Sequence, residues 1–431
     1  MNASRILLAI AFALAVWSVL VALEWLPPSD PAAREAMALL DRPDQRATGE
    51  HNGFATLWSW QRPFGAEERD EILATDVAQV DAAGARGEAV PEESLARAAR
   101  PAVEIASGSL CAAPPAACLE RVREDPAAME ATLAGLAVPL AALDELASAD
   151  HLASPFKPTI TAPVPPLQGI GSLLASRSAL AWVKGDSEAA IGMACGDLAT
   201  WRRLRSRSDL LVLDMVSLAV AQQQALLLGE MLVSRPAGLP LPAACEPALA
   251  EPAREELDQC DVWRSEFRLM RHTLSEGLPQ AAGVDGGPLF AMALPWLLNE
   301  RAALERAALP FASLCDGARP DAEFLVAAPP GTMLRIVDPV GSVLMDLAPL
   351  DQREYVERAV DFAGLLQAIR LSVWLPMQPD PVAAFAARPE SYRPFTDSLS
   401  LDPETPALMV GIRHWRGEPT TWRVPLATAP P

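Results

Sequence analysis

Asp186–Arg235, DSEAAIGMACGDLATWRRLRSRSDLLVLDMVSLAVAQQQALLLGEMLVSR, reads as two consecutive helices broken at Ser206-Arg207-Ser208. In the first, Ile191, Ala194, Leu198, Trp201 and Leu204 recur three or four residues apart and share one helical face. Asp186 stands where an N-cap carboxylate accepts from the open amides of the first turn. The second helix, Asp209 to Val233, is apolar on most sides, from Leu210 through Val220 to Leu228. A helix this apolar has to be covered by others, so the pair marks the centre of a helical core.

Working outward, Leu167–Val183 precedes this pair as a further helix, and Ala253–Glu276, Pro288–Leu314, Met333–Leu347 and Gln352–Leu375 follow it. A break is expected near Pro295. Towards the N-terminus, Pro31–Leu40 and Glu67–Ala83 are short helices, and a leucine-faced helix starts after Asp125-Pro126, with Pro139 expected to bend it. The tail changes character: Ser398–Leu401 and Leu408–Ile412, separated by Asp402-Pro403-Glu404-Thr405-Pro406, predict two short strands in a hairpin. No self-similarity at about 34 residues supports a regular helical repeat. The fold class is therefore mainly α: an N-terminal transmembrane helix, an irregular α-helical bundle of helix pairs, and a small C-terminal β-hairpin.

Ile6–Leu23, ILLAIAFALAVWSVLVAL, is a run of 18 residues without a charge. As a helix it spans about 27 Å, close to the hydrocarbon thickness of a bilayer. Arg5 precedes it and Glu24, Asp30 and Glu35 follow, which places the N-terminus in the cytoplasm and the rest outside. A cleaved signal peptide is the rival, with Ala13-Leu14-Ala15 as small-x-small, but apolar residues continue past that point. We therefore expect an uncleaved signal-anchor, residues 1–26, holding the chain in the inner membrane through residues 6–26. A membrane-proximal helical region, 27–153, comes next. Five prolines between Ser154 and Pro166 then form an extended connector, 154–166, before a helical core domain, 167–376, and a tail, 377–431.

The chain's 431 residues are 51% hydrophobic and carry 35 basic against 55 acidic side chains, a net charge of −20. All the basic residues except Lys157 and Lys184 are arginine, which with the alanine excess reads as GC-rich bacterial codon usage. So negative a chain repels nucleic acid and anionic headgroups, so no nucleic-acid partner is expected.

Six cysteines in an exported chain point to disulfides. Cys111 and Cys118 are the first candidates, because Pro114-Pro115 turns the chain between them. Cys245 and Cys260 come next, tying a loop to the following helix. Cys195 reads as a buried free thiol, and nothing local places Cys315. With no C-x-x-C and with His51, His151, His272 and His414 scattered, neither a metal nor a cofactor is expected. His272 and Glu276 share a helical face by spacing alone.

No G-x-S-x-G occurs. Ser154-Pro155-Phe156-Lys157 has S-x-x-K spacing, but the prolines remove the helix that brings a lysine to a serine. Gly169-Ile170-Gly171-Ser172 lacks the strand a dinucleotide fingerprint needs. His51–Trp60 is an aromatic-dense segment that either offers a ligand-stacking or docking patch or pins the membrane-proximal region to the core. Asp214, between Leu213 and Met215 of the central helix, is the one candidate catalytic acid; once buried it needs a partner, with Arg177, Arg202 and Arg205 in range.

Gly185-Asp186 leading to Trp201-Arg202-Arg203, followed by Ser208-Asp209-Leu210-Leu211, resembles a group of uncharacterised proteobacterial proteins with an N-terminal membrane segment and an exported helical domain. Arg388–Asp397 with Leu399–Asp402 is similar to their C-terminal Asp-Pro-Phe/Tyr-Thr-Gly-x-Pro-Leu turn and hairpin. Arg393 and Asp397 stand where aspartate and glycine are usual, and Ser398 replaces the proline. The resemblance implies a membrane-anchored periplasmic location in a Gram-negative bacterium, and no activity. The expectation is a non-enzymatic interaction module with an envelope protein as partner. The alternative is a periplasmic hydrolase-like enzyme built around Asp214.

Overall fold

Capping carboxylates open four of the described helices, at Asp30, Asp125, Asp186 and Asp380. The computed structural model describes residues 11–17, 19, 30–44, 48–86, 88, 95–112, 117–159, 162–235, 239–279, 287–315, 335, 338–347, 352–395, 398–402, 404–413 and 421–426. Residues 11–17 are helical, while 6–10, 18 and 20–26 of the expected anchor lie outside the described residues, as does His414. Asp30 accepts from the amide of Ala32 at 2.9 Å and starts α1, Pro31–Leu40. Helices α2, Phe54–Ser59, α3, Ala66–Arg86, and α4, Cys118–Glu124, follow. Asp125 caps α5, Pro126–Gly135, through the amide of Ala128.

The chain then bends by 70° into α6, Ala137–Glu145. Pro139 has no amide to give the carbonyl of Gly135, and its ring crowds that carbonyl, so the bend falls at Leu136. The central helices are α7, Ile170–Val183, α8, Ser187–Arg205, and α9, Leu211–Val233. Asp186 caps α8 by accepting from Ala189 at 3.2 Å. Helices α10, Cys260–His272, α11, Gly287–Leu297, α12, Glu300–Ser313, α13, Pro339–Leu347, α14, Gln352–Trp374, and α15, Pro381–Ala386, are the longer helices that follow.

Pro295 sits inside α11, and the break expected there falls instead at Leu298-Asn299. Asn299 causes it, because its side-chain oxygen accepts from Ala302 at 3.0 Å and starts a new helix. The tail is a three-stranded antiparallel sheet, β1, Leu399–Leu401, β2, Ala407–Gly411, and β3, Thr421–Pro425, in the order β1-β2-β3. The hairpin is therefore extended by a strand that buries Trp422 and Val424 on one face.

Helix α9 has the length and apolarity of a membrane span, yet 67% of its most apolar stretch is buried inside the protein. Asp214, Gln223 and Gln224 are buried with it. Its packing against α7, α8, α14 and β3 makes it the core helix of the body. Phe54, Trp58, Leu133 and Leu146 from before the Pro-rich connector share one hydrophobic cluster with Leu173, Leu198, Leu227 and Leu366 from after it. The connector therefore runs over one core and does not separate two. A second cluster gathers Leu40 of α1, Trp263 and Phe267 of α10 and Phe311 of α12.

All six cysteines are paired: Cys111–Cys118, Cys195–Cys245 and Cys260–Cys315. Cys245 therefore does not join Cys260, and Cys195 is no free thiol. Cys195 faces out of α8 beneath the turn Cys245–Ala248, with the two Cα atoms 4.8 Å apart, within disulfide reach. Cys260, at the start of α10, meets Cys315 just beyond α12. Disulfides of this kind belong to a chain that folds in an oxidising compartment.

Candidate functional site

The turn between α8 and α9 brings Arg205 back over the first turn of α9, where Asp214 is 2% exposed. Arg205 Nε lies 3.1 Å from Asp214 Oδ1, and the Gln259 amide donates to Oδ2 at 2.8 Å. Both carboxylate oxygens are therefore occupied by the chain itself. Burial pushes the Asp214 carboxyl up, against the opposing pull of the Arg205 charge and the Gln259 hydrogen bond. Arg205 Nη1 also donates to the carbonyl of Glu256 at 2.7 Å.

One helical turn earlier, Arg202 grips the Glu256 carboxylate through two parallel bonds of 2.8 and 2.6 Å. Its Nη1 donates to the carbonyls of Ala248 and Ala250 at 2.6 and 3.1 Å. Two arginines of α8 thus fasten the segment 247–256 to the central pair. Arg177, the third arginine in range by sequence, turns elsewhere: it joins Asp144 and Asp197, and burial raises the Asp197 carboxyl to about 6. Glu256 and Gln259 carry no local signal of this role, since they reach Asp214 and Arg202 only through the fold.

The other sequence candidates separate. Lys157 pairs with Asp81 at 3.1 Å, while Ser154 Oγ accepts from the amide of Phe156 at 3.3 Å. Gly169 opens α7 at a φ of 85° with no strand before it. His272 and Glu276 approach to 3.4 Å, but Glu276 is 73% exposed. Among the described residues no three His, Cys, Asp or Glu side chains converge as a metal site would need.

The aromatic segment is a pin. Phe54, Trp58 and Trp60 are buried, and Phe54 and Trp58 pack with Phe156 at ring distances of 6.1 and 5.0 Å. Trp58 donates to Asp76 at 2.7 Å, and Trp60 donates to the carbonyl of Pro166. These rings hold the connector and leave no stacking face for a ligand.

A second, half-buried acid lies just before α9. Both oxygens of Asp209 accept from the Ser154 amide at 3.1 and 3.0 Å. Burial pushes its carboxyl up to about 7; the Ser154 bond opposes this, Asp44 adds to it and Arg268 offsets part of it. Because the folded value lies above that of the unfolded chain, the stability Asp209 contributes is full below about 4 and is lost as pH rises through 7. Asp209→Asn should therefore melt like the parent near pH 3.5 and be the more stable at pH 8. The gain is on the order of 1–2 kcal/mol, after the weaker acceptance from Ser154 is set against it. Thermal unfolding of the full chain at the two pH values checks this, and equal melting at pH 8 would count against it.

Comparison of the chain with protein-family models, with curated proteins and with solved structures found no match.

Proposed function

We propose that this chain is a single-pass inner-membrane protein of a Gram-negative bacterium whose helical body lies in the periplasm and acts by binding another envelope protein, without catalysis of its own. The observation that carries the second half is the closure of the Asp214 site. A carboxylate 2% exposed, with its oxygens taken by Arg205 and Gln259, has no face left for substrate or water. Its geometry is that of a structural ion pair. Three disulfides and the uncharged run Ile6–Leu23 support the first half: the former need an oxidising compartment, the latter a bilayer.

Crosslinking in intact cells through the native anchor, with identification of what co-purifies, tests the reading. One envelope protein recovered reproducibly under several growth conditions is the expected result. A hydrolytic activity of the purified chain that Asp214→Asn abolishes while the fold and disulfides persist would overturn it.

A further inference from the structure

Helix α11 meets the N-terminal apolar segment. Its eleven residues, Gly287–Leu297, include no charged side chain. Leu289, Met292 and Trp296 are spaced three and four apart and are 82%, 72% and 47% exposed, while Leu294, on the opposite side, is 3% exposed. Val343 of α13, which packs beside α11, extends this bare apolar strip at 53% exposure. The Trp17 indole donates to the carbonyl of Trp296 at 3.3 Å. That carbonyl belongs to the last turn of α11, where no helical amide is available to it.

We propose that α11 lies in the plane of the membrane as an interfacial helix, its Leu289–Met292–Trp296 face set into the headgroup–acyl boundary beside the anchor. The proposal rests on the reading of residues 6–26 as a membrane anchor. Trp17 stands six residues before Leu23, the end of the uncharged run, which is roughly 9 Å along a helix. A helix end bonded to Trp17 is therefore at the depth, roughly 5–10 Å, to which interfacial helices sink. In that medium an open carbonyl has no water, and the Trp17 indole supplies its donor.

A protein partner or a second copy on this face would have to displace lipid from the flank of the anchor itself. The attraction is apolar, not electrostatic: α11 carries no basic residue, and the chain's net charge is −20. Docking should therefore be complete on zwitterionic lipid and indifferent to salt.

The test uses the full chain in phosphatidylcholine nanodiscs, with a nitroxide at Met292→Cys, at Leu289→Cys, at Phe12→Cys within the apolar segment, or at Val382→Cys on α15, which is 70% exposed. Collision with oxygen and with a water-soluble nickel chelate reads the depth of each label. Labels at 292, 289 and 12 should collide with oxygen and lose nickel collisions, while the label at 382 does the reverse, at low and high salt alike. Nickel collisions at 292 and 289 with the label at 12 still immersed would overturn the docking and leave the anchor standing. A label at 12 found in water would sink the anchor reading and this proposal together. Labels at 292 shielded from both reagents, or broadened by one another, would show a protein or a second copy on the face and overturn the lipid assignment.

Discussion

Arg205→Met, which keeps much of the side-chain volume and removes the charge, should destabilise the chain by about 3–5 kcal/mol at pH 8. The size follows from what is left behind. Asp214 is 2% exposed, and without Arg205 it keeps only the Gln259 amide as partner. A buried carboxylate with one neutral donor is an uncompensated charge. Removing the cation also takes away the pull that opposes burial, so the Asp214 carboxyl rises further above its unfolded value. The penalty is therefore small where the acid is neutral in both states, below about pH 3, and grows as pH rises.

The double variant Arg205→Met/Asp214→Leu removes both charges and should recover most of the loss, because apolar replacement of a buried pair is often neutral or stabilising. Some deficit should persist, since Arg205 also holds the Glu256 carbonyl and Gln259 loses its acceptor. Urea unfolding of the full chain in detergent, followed by tryptophan fluorescence, measures all three proteins. A single-variant loss below about 1 kcal/mol at pH 8 would mean the pair is not desolvated as argued.

The parts of this fold legible in the sequence are those set by neighbours along the chain. The three-and-four spacing of Ile191 to Leu204, the cap at Asp186 and the bend imposed by Pro139 each depend on a few adjacent residues. The break at Asn299 is also set locally: Pro295, near the end of α11, is kept inside that helix, and the capping side chain of Asn299 four residues on starts the next one. Strand β3 is short and ends in Pro425, so its Trp422–Val424 alternation is too brief to stand out from a loop.

What the sequence does not carry is partner choice at long range. Three arginines were in range of Asp214, and only the reversal at Ser206–Leu210 selects Arg205. The pairing of Cys245 depends on which face of α8 its loop crosses, a choice made by the packing of the Cys245–Ala248 turn against α8 and not by spacing. For the same reason Glu256 and Gln259, the groups that close the candidate site, could not be found before the helices were packed.

Those long-range pairings carry the second large effect. Cys195–Cys245 and Cys260–Cys315 span 50 and 55 residues, whereas Cys111–Cys118 spans 7. Cross-linking restricts the unfolded chain more as the loop grows: about 4 kcal/mol for each long loop against about 2 kcal/mol for the short one. Cys195→Ala/Cys245→Ala should therefore cost the chain about twice what Cys111→Ala/Cys118→Ala costs. The long bridge also reinforces a specific joint. It ties α8 to the same segment that Arg202 clamps through Ala248 and Glu256, so opening it leaves Arg202 and Arg205 to hold that segment. In urea unfolding the two double variants should rank in that order. If they rank the other way, native-state contacts around Cys111 and Cys118, both buried against α7, outweigh the loop entropy. Combining Cys195→Ala/Cys245→Ala with Arg202→Met separates the two contributions: a combined loss greater than the sum of the parts would show that bridge and clamp back each other up across one joint.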